Sequence, residues 1–316
     1  MQQVMLLIQY TLVYASVLTL VALGGCYSER SGIINIGLEG IMVIGALGGA
    51  LVLGRISPDL PGIVIFLAAV LASVVFGMLF SLLLGVAAIN FKADQTLAGT
   101  AMNMLGLALA TVIVKALNIA ASGGSNNSAE IAYTATREKL LLAQGTEFSM
   151  FMILTALILM AAYILLYKTR FGLRLMACGE HPQAANSVGI SVAKMRYAGV
   201  LISGALGGIG GLVYITAGVS KTNFEVGVAG FGFLALAVMI FGQWKPHRIV
   251  LAALLFGVFR ALANVNNGFD FLTALNLPQP VYNMLPYIIS LIVLAFTSKS
   301  SHAPKAEGIP YDKSTR

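Results

Sequence analysis

Charged residues are scarce in this chain. Only 10% of its 316 residues are Asp, Glu, Lys or Arg, whereas soluble domains carry about 25%. A chain with so little charge and 58% hydrophobic residues is not typical of a soluble domain. It is typical of a helical protein that crosses a membrane several times. The 34 glycines agree with that class, because small residues let membrane helices approach closely.

Cysteine and histidine are rare as well. Cys26 and Cys178 lie far apart, and His181, His247 and His302 are isolated, so no metal-ligand spacing occurs. The chain also lacks a catalytic Ser-His-Asp arrangement and a phosphate-binding glycine loop that ends in Lys-Ser or Lys-Thr. We therefore expect no catalytic residue, no metal site and no cofactor here, and the chain is not expected to be an enzyme.

Signatures of ion coupling are missing from the sequence too. It has no paired acidic residues in mid-membrane, no arginine ladder and no repeated selectivity loop, which are the groups that ion-driven transport uses. Any energy for transport would then come from a partner. An ion-coupled secondary transporter that acts alone stays an alternative, and so does a structural or assembly protein of the membrane.

Nine apolar runs are candidates for membrane spans, which need about 20 residues each. With the N-terminus outside, thirteen Lys and Arg residues of the loops and tail fall on the cytoplasmic side and four on the outer side. The positive-inside rule therefore predicts nine spans, with the N-terminus outside and the C-terminus in the cytoplasm. The runs cover residues 6–26, 33–53, 61–90, 95–119, 148–167, 196–218, 228–242, 249–264 and 281–297.

These runs form one transmembrane domain over residues 1–298, and residues 299–316 form a cytoplasmic tail. Two connecting loops are long. The external loop, at about 120–147, is expected to be mobile or partly helical. The cytoplasmic loop, at about 168–195, contains Pro182, which suits the first turn of a helix, and Gly189, which suits a helix end. The sequence thus predicts a short surface helix in this loop.

Residues 31–40 interrupt the second apolar run with three glycines, Asn35 and Glu39. Lipid offers no partner to an irregular backbone or a carboxylate, so this segment must face protein or a water-filled path. Asn35 and Glu39 are candidates for the substrate pathway. Glu39 is equally suited to capping backbone N–H groups where the helix breaks. Because the segment lies where span 2 starts, we expect Glu39 near the inner gate and not at the bilayer centre.

Other polar groups lie within the runs. Thr96, Thr100 and Asn103 recur at helical spacing and can share one face, where they would line the path of a neutral solute or hold helices together. Lys115 and Arg260 lie near the outer ends of their runs, so we expect them to snorkel to the interface as anchors. The glycine-rich stretch at 204–211 predicts a close contact between helices.

Three stretches together resemble one protein family: residues 31–45, the cytoplasmic stretch 171–194, and residues 231–246. In these stretches the chain is similar to the permease subunits of bacterial ATP-binding-cassette (ABC) importers for branched-chain amino acids, monosaccharides and nucleosides. The sequence Asn-Ile-Gly-Leu-Glu-Gly at 35–40 looks closest to the nucleoside branch, which includes uptake of the guanosine type.

The resemblance implies an all-α type II importer permease fold, with inverted repeats around a linking span. It implies translocation of nucleosides across the bacterial plasma membrane, with a monosaccharide or a branched-chain amino acid as the alternative substrate. ATP would be bound by a separate ATPase subunit. A second homologous permease and an extracellular substrate-binding lipoprotein are the other expected partners, and nucleic acid is not. The residues expected to couple to the ATPase are Gly179, Glu180, Pro182, Ala184, Ala185, Gly189 and Lys194.

Overall fold

The computed structural model describes residues 2–143, 145–265, 268, 278–297 and 303–312. Twelve α-helices and two short strands lie in these ranges. The helices are α1 (Gln2–Arg30), α2 (Leu38–Leu53), α3 (Gly62–Gly85), α4 (Gln95–Ser122), α5 (Thr134–Glu138), α6 (Met150–Lys168), α7 (Arg170–Glu180), α8 (Pro182–Ser187), α9 (Val192–Thr216), α10 (Phe231–Phe241), α11 (Pro246–Val265) and α12 (Gln279–Thr297). A π-helical turn, Val86–Asn90, continues α3, and the strands are β1 (Glu130–Ala132) and β2 (Lys221–Asn223).

Six of the described helices are long and apolar enough to cross a membrane, namely α1, α3 with its π-helical turn, α4, α6, α9 and α11. Two apolar helices are shorter, α2 with 16 residues and α10 with 11. At 1.5 Å per residue they are only about 24 and 16 Å long, less than the ~30 Å hydrocarbon core. The predicted helical membrane protein is confirmed, whereas nine complete spans stay a prediction.

Helices α1 and α9 form the centre of the bundle and pack on each other and on α2. The glycine-rich part of α9 makes these contacts close, as the sequence predicts. A Cβ atom on Gly45 of α2 would lie 2.1 Å from Cα of Gly208, and one on Gly211 would lie 2.0 Å from the carbonyl oxygen of Met42. Any side chain at these positions would push the helices apart.

One end of the bundle, here named the Arg137 end, carries the loops that the sequence assigns to the outside. Strands β1 and β2 pair antiparallel there, with Glu130 opposite Asn223. Arg137 of α5 forms an ion pair with Glu147. The predicted loop at 120–147 is thus partly helical, as expected, but it also supplies a strand, because its β partner lies about 90 residues further along the chain.

The opposite end, here named the Arg30 end, gathers the loops that the sequence assigns to the cytoplasm. Arg30, at the end of α1, donates from Nη2 to the carbonyl oxygen of Trp244 in the turn between α10 and α11, at 3.1 Å. Helices α7 and α8 lie at the same end, since α7 packs on α1 and on α9. The predicted division of loops between two ends therefore agrees with the structure.

Candidate functional site

The N-termini of the two short helices meet at Glu39. This residue lies in the first turn of α2, and its carboxylate accepts hydrogen bonds from the backbone N–H groups of Gly230, at 2.8 Å, and Gly232, at 2.6 Å. The first N–H groups of any helix have no partner within the helix. The Glu39 carboxylate supplies that partner to α10 and also neutralises the positive end of its dipole.

Glycine is needed on the α10 side of this junction. Gly230 has a φ of +79°, which residues with a side chain rarely adopt. A Cβ atom on Gly232 would lie 2.4 Å from the backbone nitrogen of Glu39. The two helix ends can therefore approach closely enough for hydrogen bonding only because these positions have no side chain.

Asn103 of α4 holds the other half of the junction. Its Oδ1 accepts from the N–H of Gly40 at 2.8 Å, and its Nδ2 donates to the carbonyl oxygen of Ile36 at 2.9 Å. One amide thus satisfies a free N–H at the start of α2 and a carbonyl of the irregular segment before it. The sequence predicted that Asn103 belongs to a polar stripe on α4. The structure places its side chain against residues 31–40, named here the interrupted segment.

Helix α10 gives the distance of Glu39 from the Arg30 end. Helix α10 runs from the Glu39 junction to the turn at Trp244, which contacts the end of α1. Its 11 residues place Glu39 about 16 Å from that end. A position of Glu39 near the inner gate stays a prediction. The irregular segment before Leu38 separates the end of α1 from the start of α2, and apolar runs alone do not show where a helix starts.

The remaining predicted pathway residues separate into two groups. Asn35 is fully buried, and its Nδ2 donates to the hydroxyl of Ser203 on α9 at 2.8 Å, so it joins the interrupted segment to the core. Thr96 and Thr100 are exposed on α4, where the Thr100 hydroxyl donates to the carbonyl oxygen of Thr96 at 2.8 Å. The structure therefore brings Asn103 and Glu39 together, whereas Asn35 faces inward and the threonines face outward.

Arg260 lies beside the same junction, where the sequence predicted an interfacial anchor. Its guanidinium carbon is 5.3 Å from the ring centroid of Phe231 and 5.9 Å from that of Tyr14, which are cation–π distances. Its Nη1 donates weakly to Oδ1 of Asn283, at 3.4 Å. The anchor prediction is wrong because the rings of α1 and α10 hold this side chain within the bundle. One sequence feature could have indicated this buried position: Arg260 is a single arginine within an apolar run.

Lys115 forms a different contact. Its Nζ lies 2.6 Å from Oε1 of Glu225, in the loop between β2 and α10. This hydrogen-bonded ion pair lowers the pKa of Glu225. The pair is exposed, so it contributes little to stability, but it links α4 to the loop that leads to the Glu39 junction.

A second polar cluster lies at the Arg30 end and was missed by the sequence reasoning. The carboxylate of Glu29 is buried and accepts a hydrogen bond from Nε1 of Trp244 at 2.6 Å. Gln243 and Trp244 both have a φ of +52°, an uncommon conformation for residues with side chains. Glu29 and Arg30 hold this turn in place. No local signal marks Glu29, because it looks like an ordinary charge at the end of a span.

The predicted coupling residues lie on three helices, α7, α8 and α9, and on the turn before α9. Pro182 begins α8 and Gly189 follows it with a φ of +84°, as predicted. Gly179 and Glu180 instead end α7, and Gly179 is buried: a Cβ atom there would lie 2.3 Å from the carbonyl oxygen of Arg30. The short surface helix predicted between Pro182 and Gly189 is therefore confirmed as α8, and it is separate from α7 because the chain turns at His181.

Burial divides the coupling residues further. Pro182 and Ala185 are buried and attach α8 to the body of the protein, while Glu180 is half-buried. Of the predicted residues, Ala184, Gly189 and Lys194 are exposed, and their neighbour Val188 is 73% exposed. They belong to an exposed surface that also includes Gln183 and Ser187.

Long apolar helices around two shortened ones, whose ends meet at buried polar groups in mid-bundle, define a polytopic membrane protein with the architecture of a permease. The chain belongs to the family described as "Branched-chain amino acid transport system / permease component", whose model matches residues 7–294. The family resemblance predicted from the three motif stretches is thus confirmed.

Individual relatives cover almost the whole chain. The nucleoside ABC transporter permease protein NupC of Lactococcus lactis is 39% identical, over 96% of this chain and 95% of the relative. The guanosine ABC transporter permease protein NupQ of Bacillus subtilis is 38% identical, over 98% of both chains. A more distant similarity, 25% identity over 95% of this chain and 82% of the relative, joins it to NupB of L. lactis, also a nucleoside ABC transporter permease protein.

Proposed function

We propose that this chain is a permease subunit that translocates nucleosides in an ATP-driven importer of the bacterial plasma membrane. One observation carries the proposal: identities of 38–39% over nearly the full length to two permeases named for nucleosides and guanosine. A nucleoside is neutral and polar, which suits a path with amides, hydroxyls and few charges. A monosaccharide would suit such a path as well, so the substrate needs a direct test.

The two short helices support an inverted repeat. In the proposed nine-span order, α1 to α4 form one half and α9 to α12 the other, and α6 links them. Helices α2 and α10 are then the second helices of their halves. Both begin at the Glu39 junction, α2 running towards the Arg137 end and α10 towards the Arg30 end. Shortened segments at corresponding positions of two inverted halves are a feature of transporter binding sites near mid-membrane.

The Arg30 end is proposed to face the cytoplasm, because most of the loop Lys and Arg residues belong to it. The N-terminus is then outside and the C-terminus inside. An ATPase subunit would dock on the exposed residues of α8 and its flanks, which include Ala184, Val188, Gly189 and Lys194. Movement of α7 and α8 would reach α1 through the close contact of Gly179 with Arg30.

The other proposed partners are a second permease and an extracellular substrate-binding lipoprotein. Relatives support a heterodimer, because L. lactis has both NupB and NupC and B. subtilis has both NupP and NupQ, each named a permease protein. Helix α4 buries little of its surface within this chain. Its exposed Thr96 and Thr100 would then face the path between the two permeases.

Transport by the reconstituted complex tests this function. Proteoliposomes containing both permeases and the ATPase, with the binding protein added outside, should take up radiolabelled guanosine only when ATP is inside. Unlabelled uridine, ribose and leucine are the competitors, and complexes with an inactive ATPase are the control. Competition by ribose or leucine but not by nucleosides would assign a different substrate. Gradient-driven uptake by this chain alone would refute the importer function.

A further inference from the structure

Residues 303–312, named here the strap, fold back onto the Arg30 end. The N–H of Ala306 donates to the carbonyl oxygen of Gly179, the penultimate residue of α7, at 2.8 Å. The N–H of Gly308 donates to the carbonyl oxygen of Gly32, in the interrupted segment, at 3.3 Å. Within two residues, the strap therefore bonds both the proposed coupling helix and the segment that leads to Glu39.

Side chains fasten the strap at further points. Arg196, near the start of α9 and only 1% exposed, donates from Nη1 to the carbonyl oxygen of Ile309 at 3.1 Å. Its guanidinium also lies 6.0 Å from the ring centroid of Tyr311. Lys92, just before α4, forms an ion pair of 2.6 Å with Asp312. An arginine this deeply buried has lost its hydration, so a strap carbonyl is a needed acceptor.

The strap also fits closely against the interrupted segment. Gly308 has a φ of +75°, and a Cβ atom there would lie 2.7 Å from Cδ1 of Ile34. Beside this contact the strap borders a cavity of about 310 Å³ whose other wall includes Lys92, Asp94 and Thr96. The strap thus lies where the α4 stripe reaches the Arg30 end.

Glu307 connects the strap to the second polar cluster. Its carboxyl lies close enough to that of Glu29, the buried partner of Trp244, for each to influence the pKa of the other. Two neighbouring buried carboxyl groups repel each other unless one of them holds a proton. Burial raises the pKa of Glu307 to about 7. The pair therefore joins the strap, α1 and the turn that ends α10.

We propose that the strap is a positioning element for transport, which ties the end of α7 to the interrupted segment so that movement of the coupling helices reaches the Glu39 junction. The inference rests on the proposed function and adds to it a mechanical path. Gly179 lies directly against Arg30, and a Cβ atom there would also be 3.3 Å from the backbone nitrogen of Gly32. To this contact the strap adds hydrogen bonds to Gly179 and Gly32 and packing on Ile34, among the residues immediately before α2.

The test compares coupling ratios in the reconstituted complex. One variant ends the chain after His302, a second is Gly308→Val, and the exposed Lys305→Ala is the matched control. We measure the amount of folded complex, ATP hydrolysis, and guanosine taken up per ATP. Loss of positioning should lower uptake per ATP by about fivefold or more, the lower end of coupling between sites, while ATP hydrolysis continues. Lys305→Ala should match the wild type.

Three other results would contradict the proposed role of the strap or of the chain. An unchanged ratio in a folded truncated complex would overturn its positioning role. Higher uptake, or uptake without ATP, would identify a plug and not a positioning element. If the truncated chain does not accumulate, Gly308→Val decides by the same criteria, because it changes one residue of a peripheral segment. A wild-type complex that takes up no nucleoside would instead refute the proposed function, so the two failures are distinguishable.

Discussion

Substitution of Glu39 by alanine tests the junction of the two short helices most directly. The Glu39→Ala variant removes the acceptor of the Gly230 and Gly232 N–H groups, which lie 2.8 and 2.6 Å from the carboxylate oxygens. No other group replaces it at once, because a methyl group cannot accept a hydrogen bond. The N-terminus of α10 would then be left with unpaired N–H groups in an apolar surrounding.

The magnitude follows from these two bonds. Hydrogen bonds to charged groups contribute about 1.5–3 kcal/mol each in soluble proteins, so the pair would contribute about 3–6 kcal/mol. Hydrogen bonds between membrane helices average only about 0.6 kcal/mol, which gives a lower bound of about 1.2 kcal/mol for two. Since about 1.4 kcal/mol is a factor of ten, the correctly formed junction should become roughly sevenfold rarer at least. Glu39→Gln keeps one acceptor oxygen and should lie between alanine and the wild type.

The assay separates folding from transport. Guanosine uptake by the reconstituted complex is divided by the amount of folded complex, and thermal unfolding in detergent is measured on the same preparation. Thr155→Ala is the matched control, because its hydroxyl donates only to the Phe151 carbonyl within its own helix, α6. Wild-type uptake and wild-type melting in Glu39→Ala would refute the reasoning. A lower melting temperature with normal uptake per folded complex would make Glu39 a structural cap alone.

Three further predictions concern other parts of the molecule. Gly45→Ala should lower the melting temperature, because the new Cβ would lie 2.1 Å from Gly208; an unchanged melting curve would contradict the close crossing of α2 and α9. Val188→Asp, on the exposed surface, should reduce ATP-driven uptake while the level of folded protein stays normal. Gly179→Ala should instead lower the level of folded protein, because its Cβ would overlap the Arg30 carbonyl. Equal levels of folded protein in both variants would contradict the division into an exposed docking residue and a buried packing residue. Hydrogen exchange, corrected for its intrinsic pH dependence, should show the strap amides becoming less protected between pH 6 and pH 8. The pKa of Glu307 is raised to about 7, so its protonated form favours docking at low pH, and this contribution is lost as the pH rises through 7. Glu307→Gln should remove the pH dependence, and a strap equally protected at both pH values would refute this role of the carboxyl pair.

The charged and titratable groups around the strap come from every element that it contacts, so the pH experiment needs their variants as controls. They are Glu29 and Arg30 of α1, Lys92 before α4, Cys178 of α7, Arg196 of α9, and Tyr311 and Asp312 of the strap itself. Burial raises the pKa of the Cys178 thiol, so it stays neutral between pH 6 and pH 8. The expected change in this range therefore depends on the carboxyl pair.

Several features of the site were predictable from local sequence alone. An apolar run with Asn35 and Glu39 inside it must break and must face other protein groups, because hydrocarbon cannot solvate them. Pro182 and Gly189 mark a helix by their own backbone preferences. The glycines of α9 indicate a close helix contact through their lack of side chains. In each case the physical cause lies within a few residues, so the sequence carries it directly.

Other features depend on residues that are distant in the chain. Glu39 accepts hydrogen bonds from N–H groups about 190 residues away, and the sequence around Glu39 does not indicate which groups these are. Arg260 lies within the bundle because α1 and α10 bring Tyr14 and Phe231 around it. The strap shows no apolar periodicity, and only its contacts with α7, α9 and the interrupted segment give it a place.

By itself the sequence determined the class of this protein, the division of its loops between two ends and the break before α2, since composition and backbone preference act locally. Tertiary structure alone decided which N–H groups Glu39 binds, the separation of α7 from α8 and the docking of the strap. Hydrogen bonds in an apolar bundle join whichever donors and acceptors the packing brings within about 3 Å. Which donor pairs with which acceptor depends on the folded arrangement, so a local stretch of sequence cannot predict it.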